Sequence, residues 1–167
     1  IEEACVVFGS TDGMLAAGLE LRRSLGPLSI PVEKHDSGTG ISLCMIMKNE
    51  QDHLARCLKS LKPVVDEIII TDTGSTDHSR DIAELFGARL FEFPWNGDFS
   101  AARNVSLEQA TGNWILVMDA DEVISVLDHS RFRQLVSNSP PEGVAYDIVT
   151  RNYMFNINLE KWRPNDG

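Results

Sequence analysis

The stretch ISLCMIM at residues 41–47, followed at once by the polar residues KNE at 48–50, decides the fold. A run of seven residues with a single polar member is typical of a strand that is buried on both faces, as in a parallel sheet. A second run of this kind, EIIIT at residues 67–71, follows a segment with leucines at helical spacing over residues 50–61. A buried strand, a helix and another buried strand predict a βαβ unit, whose two strands are parallel.

The same alternation continues along the chain, so residues 41–167 are predicted to form an α/β domain with a mainly parallel sheet. The further predicted elements are a helix capped by Thr76 or Asp77 and ended by Gly87, a strand at 89–93, a helix at 99–110, a strand at 114–118, a helix at 128–136 and a strand at 144–150. Short connections between strands and helices are typical of this class.

Residues 1–40 have a different pattern. After a short apolar run at residues 4–8, leucines recur at mainly helical spacings over residues 14–25, and the GP pair that follows stops the helix. Residues 26–40 are rich in proline and glycine and poor in core candidates, which indicates a linker. We therefore assign residues 1–40 to the end of a preceding unit plus a linker, and expect the chain to be a piece of a longer protein.

The composition excludes several classes of protein. With 167 residues, 43% hydrophobic and 24% charged, the chain is typical of a globular protein rather than a disordered or disulfide-stapled one. The net charge of −10 disfavours a nucleic-acid binder that relies on a broad basic patch. The three cysteines fit no metal-ligand spacing, which favours a reducing compartment and predicts a cytoplasmic location. No apolar stretch approaches the ~18–20 residues of a membrane span.

Polar and acidic residues follow the carboxyl ends of three predicted strands. The segment KNE at 48–50 follows the first strand, DTGSTD at 72–77 follows the second, and DADE at 119–122 follows the strand at 114–118. In parallel sheets, ligands bind beyond these ends, where the strand order switches. The three segments therefore predict one ligand site.

Asp119 and Asp121 carry the most specific chemistry in these segments. Residues i and i+2 of an extended backbone project to the same side, so the two carboxylates aim at one point. Two hard oxygen ligands suit Mg²⁺ or Mn²⁺, with the phosphates of a ligand supplying further oxygens. Ala120, between them, leaves space for a ligand to lie against the backbone.

The roles of four further residues stay open at this level. Asp72 can accept hydrogen bonds from a ribose or a base, or can bond the backbone amides of the turn that follows it. Arg103 can hold a phosphate or position the metal-binding acid through its fork of donors, or can simply balance nearby acids. Trp95 and Phe99 can stack on a ligand or pack in the core.

Taken together, residues 41–50, 72–77, 99–104 (FSAARN) and 119–121 resemble the family-2 glycosyltransferases of the GT-A fold. These are inverting enzymes that use nucleotide sugars, and the GT-A fold is a Rossmann-like α/β/α sandwich. The segment FPWN at 93–96 is similar to a bacterial branch whose members often carry further domains, tetratricopeptide repeats among them.

The resemblance implies a donor site with assigned roles. The backbone around Ile46 and Lys48 and the side chain of Asp72 would hold the nucleoside, while Asp119 would face the ribose or sugar and Asp121 would bind the metal directly. The residues assigned to the donor site are Ile46, Lys48, Glu50, Asp72, Thr73, Arg103, Asp119 and Ala120, with Asp121 and Asp119 as the metal ligands. The metal would neutralise the leaving diphosphate, while an acceptor hydroxyl, deprotonated by a carboxylate base, attacks the anomeric carbon with inversion.

Two departures from the family pattern limit these expectations. Thr73 stands where many members have a second acid that contacts the base, so a UDP-sugar is only the default donor. The family's catalytic base lies beyond Gly167, so no base is assigned, and we expect the domain to be incomplete at its C-terminal side.

The acceptor and the general class of function also stay open. A glycan, a lipid-linked or a protein acceptor is compatible with these motifs. Two alternatives to a glycosyltransferase remain: a non-catalytic GT-A-like module for nucleotide binding or scaffolding, and a sugar nucleotidyltransferase.

Overall fold

The computed structural model describes residues 11–25, 40–138 and 143–150 of the chain. The strands in these ranges are β1 (Ile41–Met47), β2 (Glu67–Asp72), β3 (Arg89–Glu92) and β4 (Trp114–Val117). The helices are α1 (Thr11–Leu25), α2 (Leu54–Leu61), α3 (Ser79–Leu85), α4 (Phe99–Glu108) and α5 (His129–Asn138).

The four strands form one sheet in the order β3-β2-β1-β4, and every neighbouring pair is parallel. Met47 at the end of β1 is in register with Asp72 at the end of β2. The chain runs outward from β1 to β3 and then returns to the other side of β1, so the strand order switches between β1 and β4. The α/β class and the parallel sheet predicted for a GT-A fold are confirmed.

The core lies on both faces of β1 and β2. Leu43, Cys44 and Met45 of β1 are completely buried, as the unbroken apolar run predicted. On one face Leu43 and Met45 pack with the leucines of α2, and this cluster also includes residues of α3 and α5. On the other face lies α4, where the Cys44 thiol donates to the Ser106 carbonyl at 3.5 Å. The two central strands are thus covered on both faces, whereas β3 and β4 keep exposed residues.

Two partly buried carboxylates join the amino ends of the strands. Glu67 accepts hydrogen bonds from the Ser42 hydroxyl (2.5 Å), from the amide (2.6 Å) and hydroxyl (2.9 Å) of Thr111, and from the Gly112 amide (3.2 Å). Asp66 accepts from the Ile41 amide at 2.7 Å and from the guanidinium of Arg133 on α5 at 3.2 Å. These contacts fix the edge of the sheet opposite to the predicted ligand site.

The prediction of a strand at residues 144–150 is wrong. The segment forms no strand, and all of its side chains are exposed. The ring of Tyr146 stacks on Trp114 with centroids 5.9 Å apart. Its apolar composition suits a strand, but a strand also needs a neighbouring backbone to pair with, and composition carries no information about that neighbour.

Several predicted boundaries shift by a few residues. Residues 51–53 form hydrogen-bonded turns before α2, and the N-cap of α3 is His78 rather than Thr76 or Asp77. The Asp77 carboxylate nevertheless accepts from the Ser79 amide at 3.0 Å, so it still satisfies the first turn of the helix. The helix predicted over residues 14–25 is confirmed as α1, whereas the apolar run at 4–8, most of the predicted linker and residues 151–167 lie outside the described residues.

In the ranges that the structure describes, no helix combines the length and the apolar character needed to cross a bilayer.

Candidate functional site

A cavity of about 470 Å³ opens at the carboxyl edge of the sheet. The ends of β1, β2 and β4 form its wall together with the loop after β3 and the beginning of α4. Its lining residues are Ile46, Met47, Lys48, Glu50, Thr73, Trp95, Phe99, Arg103, Asp119, Ala120 and Asp121. Of the residues predicted for the site, all except Asp72 lie in this wall.

Asp119 and Asp121 reach the cavity from the segment that follows β4. Both are exposed, whereas Ala120 between them is buried, but Ala120 and Asp121 lie in a turn rather than in the extended backbone that the i, i+2 argument assumed. The Asp119 amide donates to the Glu122 carboxylate at 3.0 Å, and the Glu122 amide donates to the Asp119 carbonyl at 3.2 Å. This closed turn holds the two aspartates at the cavity.

Arg103 approaches the same aspartates from α4. The carboxylate of Asp98 caps this helix by accepting from the Ala101 amide at 3.0 Å, which fixes the first turn. Arg103 follows in the next positions and donates from Nη2 to Asp119 Oδ1 at 3.1 Å. Its Nε is buried and has no partner within the described residues. The guanidinium therefore orients Asp119 and keeps donor capacity for a ligand.

The loop after β1 is held by the turn after β2 through a group of hydrogen bonds that we call the loop lock. Its contacts are Asn49 N to Ser75 Oγ (3.0 Å), Thr76 N to Asn49 Oδ1 (2.8 Å), Glu50 N to Ser79 Oγ (2.7 Å), Gln51 N to Asp77 Oδ2 (3.2 Å) and His78 N to Gln51 Oε1 (3.2 Å). Asn49 has a left-handed backbone with φ of 56°, a conformation that asparagine tolerates better than most residues. The lock fixes Lys48 and Glu50, the two cavity residues on either side of Asn49.

Sequence reasoning missed Asn49 and also Met47, which lines the cavity from the end of β1. The available signal for Asn49 was its position between two predicted site residues, together with its tolerance of left-handed backbone. Met47 gave no polar signal, because it is the last residue of an apolar run.

Asp72 is directed into the protein rather than into the cavity. Its side chain is 2% exposed; Oδ1 accepts from the Ser75 amide at 2.9 Å, and Oδ2 accepts from Arg80 Nη1 at 3.0 Å. Arg80 in turn contacts Glu92 at 2.6 Å, which links the ends of β2 and β3. Of the two roles left open for Asp72, bonding of the turn is the one observed, and its contact with a nucleoside stays a prediction.

Trp95 and Phe99 are exposed at the cavity and do not pack in the core. Their exposed fractions are 39% and 66%, and the two rings meet edge to face with centroids 4.6 Å apart. Ligand stacking is thus the one of their two open roles that is compatible with this position.

The family of the chain follows from a sequence comparison. The model for "Glycosyl transferase family 2" matches residues 42–165. The chain belongs to glycosyl transferase family 2. The match includes every residue that lines the cavity.

Relatives of this family-2 domain are similar over part of their length. A TPR repeat-containing protein from Synechococcus elongatus is 45% identical over 109 residues, which cover 65% of this chain and 27% of that protein. The SPbeta prophage-derived glycosyltransferase SunS from Bacillus subtilis is 37% identical over 110 residues, covering 61% of this chain and 24% of SunS. The chain thus spans about a quarter of the length of these curated relatives.

One solved structure is similar at the level of the fold. The crystal structure of a mycobacterial protein has a TM-score of 0.51 and 24% sequence identity, and the likeness covers 62% of this chain and 39% of that one.

Negative charge concentrates at the cavity of this family-2 domain. Burial raises the pKa of Glu50; His53 acts to lower it, and the charges of Asp121, Asp77 and Asp119 raise it further. No cluster of three or more histidine, cysteine or acidic side chains suited to a metal occurs in the described part of the chain. The assignment of Asp119 and Asp121 as metal ligands therefore stays a prediction.

Proposed function

We propose that this family-2 domain binds a nucleotide sugar in the cavity and provides the donor half of a sugar-transfer reaction. The observation that carries the proposal is the convergence of Asp119 and Asp121 with Arg103 and Lys48 on one cavity, at the switch in strand order. Paired carboxylates suit a divalent cation, and the two basic side chains suit phosphate oxygens. Membership of family 2 favours sugar transfer over the nucleotidyltransferase alternative.

Asp121 and Asp119 would hold Mn²⁺ or Mg²⁺ together with oxygens of the diphosphate. The fit rests on three features: the ligand atoms are carboxylate oxygens, both side chains are exposed at the cavity, and Arg103 orients Asp119 at 3.1 Å. When bound, the metal would neutralise the charge that develops on the leaving diphosphate. Arg103 would share that task through the donors that Asp119 does not use.

The chemical step would be a direct displacement at the anomeric carbon. An acceptor hydroxyl would attack from the side opposite to the diphosphate, which inverts the configuration. We assign the base that deprotonates this hydroxyl to no residue of the chain, and the acceptor stays open among a glycan, a lipid-linked molecule and a protein. A cytoplasmic location also stays a prediction.

We extend the proposal to the domain division. Residues 41–167 would form the nucleotide-sugar-binding part of a GT-A domain, and residues 1–40 would be the end of a preceding unit plus a linker. The start of the family match at residue 42 supports a boundary at this position.

The experiment is a thermal-shift measurement with UDP, GDP, CDP and dTDP, each with and without Mn²⁺. A ligand at ~100 times its Kd stabilises by about 2.7 kcal/mol, so we expect Tm to rise by roughly 5–10 °C when nucleotide and metal are both present. Asp121→Asn should abolish the metal-dependent part of this rise. The matched control is Asp147→Asn, because Asp147 is also exposed but lies outside the cavity.

Two outcomes would contradict the proposal. The absence of any shift with every nucleotide and metal pair would favour the scaffold alternative. A metal-dependent shift that survives in Asp121→Asn would show that the cation binds elsewhere.

A further inference from the structure

Helix α1 packs against α3, although α1 lies outside the part of the chain that the family model matches. The match begins at residue 42, after the end of α1. Leu15, Gly18 and Leu19 have the i, i+3, i+4 spacing of one helix face, and both leucines are buried. Leu15 belongs to the same core cluster as Ile82 of α3. The apolar face of α1 is therefore covered in part by the family-2 domain.

The contact between the two helices is close at Gly18. A Cβ at this position would lie 3.2 Å from Cδ2 and 3.6 Å from Cδ1 of Leu85, the last residue of α3. A leucine at position 18 would extend well beyond its Cβ, so it requires the two helices to separate. Leucine is also a better helix former than glycine, so the substitution breaks the contact without weakening α1 as a helix.

The other end of α3 supports the wall of the cavity. Ser79 is completely buried, and its hydroxyl accepts from the Glu50 amide at 2.7 Å. Arg80 donates to the buried carboxylate of Asp72 at 3.0 Å, and Asp72 directly precedes Thr73. Glu50 and Thr73 both line the cavity. The first turn of α3 thus holds two segments of the cavity wall.

Helix α3 is too short to hold its position by itself. It has seven residues, and isolated helices of fewer than about 12 residues are marginal in water. Its position is therefore set by its packing on α1, α2 and β3. A helix of this length spans only about 10 Å, so a displacement at Leu85 is transmitted to Ser79 and Arg80.

We propose that α1 is a docking partner of the family-2 domain, which holds α3 in place and thereby keeps the loops around the cavity ordered. Ordered loops bind a ligand at a lower entropic cost, so the docking of α1 also raises the affinity of the cavity. The affinity part of this inference rests on the proposed function, because it requires a nucleotide in the cavity. The order of the loops can be measured without any ligand.

The experiment compares Gly18→Leu with the matched control Ala16→Leu in the full chain. Ala16 lies on the exposed side of α1, so the control introduces the same side chain into the same helix without reaching α3. Hydrogen exchange followed by mass spectrometry measures the order of the loops at residues 48–51 and 73–79. Calorimetric titration with UDP in Mn²⁺ measures the affinity of the cavity.

We expect Gly18→Leu to exchange about tenfold faster in both loops, while the amides of β1 keep their protection. The Kd of UDP should rise by roughly 5- to 50-fold. The control should match the unmodified protein in both measurements. Leu19→Ala, which removes buried contacts of α1 without a clash, should change both quantities in the same direction by less, and it decides the question if Gly18→Leu does not fold.

The possible results separate this inference from the proposed function. Unchanged exchange in both loops of the α1 variants would overturn the inference, whether or not a nucleotide binds. An equal increase of exchange over the whole sheet would also overturn it, because that result reports a general loss of stability. Faster exchange confined to the loops, with a Kd that stays unchanged, would overturn the affinity part. Faster exchange in a protein that binds no nucleotide would support the docking role of α1 and contradict the proposed function instead.

Discussion

At the scale of single residues, the two described cysteines illustrate how burial dominates the reactivity of a thiol. Cys44 and Cys57 are free thiols with no exposed surface. Burial raises the pKa of Cys44 to about 11 and that of Cys57 to about 12. Since the thiolate is the reactive form, both should be inert near neutral pH.

We predict that a thiol reagent at pH 8 modifies neither cysteine in the native protein. The measurement is absorbance after addition of a disulfide reagent to a Cys5→Ser variant, in which Cys44 and Cys57 are the remaining thiols. Both should react once the protein is unfolded in denaturant. Fast reaction of either thiol under native conditions would show that the core around β1 opens readily.

The position of a site residue could be predicted where its sequence pattern was compatible with a single role. The position of Asp119 and Asp121 at a strand end predicted that both line the cavity, although they reach it through a turn and the strand before them is half exposed. The pattern could not decide between the two roles of Asp72, because a carboxylate at a strand end serves a turn as well as a ligand. Nor could it place Trp95 and Phe99, because exposure of an aromatic ring depends on how the surrounding elements pack.

At the scale of elements, the loop lock holds the loop after β1 against the turn after β2. Asn49 has its left-handed backbone at the centre of this contact, with its side chain accepting from the Thr76 amide at 2.8 Å. Asn49→Gly allows the same left-handed backbone but removes the side-chain acceptor. It should therefore lower the free energy of unfolding by about 0.5–1.5 kcal/mol. Asn49→Ala should lower the free energy of unfolding by about 1–2 kcal/mol more, because a residue with a Cβ is strained in the left-handed conformation.

The two variants also test whether the lock serves ligand binding. Urea unfolding gives the stability, and titration with UDP and Mn²⁺ gives the affinity, with Asn138→Ala on the exposed end of α5 as the control. Because Lys48 and Glu50 flank Asn49, we expect affinity to fall in both variants and most in Asn49→Ala. An unchanged affinity in a destabilised Asn49→Ala protein would mean that the lock is structural only.

Among the elements, the two completely covered strands gave the clearest sequence signal. The long apolar runs of β1 and β2 identified both strands and their parallel pairing, since a strand covered on both faces cannot alternate with polar residues. The segment 144–150 has a similar composition but pairs with no strand among the residues that the structure describes, and the prediction failed there because pairing is a property of two segments.

At the scale of the whole molecule, the two edges of the sheet have opposite characters. At the amino edge, Glu67 and Asp66 tie the starts of β1 and β4 to neighbouring segments through short hydrogen bonds. At the carboxyl edge, the loops surround a cavity lined by charged and aromatic side chains. A rigid amino edge allows the opposite edge to carry exposed charge without loss of the fold, since the strands are fixed elsewhere.

The pH dependence of stability should therefore contain a contribution from Glu67. Burial acts to raise the pKa of this carboxyl, but hydrogen bonds from Ser42, Thr111 and Gly112 outweigh it, so the pKa is lowered in the folded protein. A lowered pKa in the folded state means that the stabilisation is present above the unfolded pKa and is lost as the pH falls through the folded value. Glu67→Gln should thus lower the free energy of unfolding by about 1–3 kcal/mol at pH 7, and by progressively less below about pH 4.5.

Urea unfolding of both proteins between pH 7 and pH 3 measures this difference, with Glu108→Gln on the exposed surface of α4 as the control. The control should follow the unmodified protein at every pH, because its carboxyl is exposed. If the stability curves of Glu67→Gln and the unmodified protein ran parallel over the whole range, the charge of Glu67 would contribute nothing. The rigidity of the amino edge would then rest on Asp66 and on the packing of β1 alone.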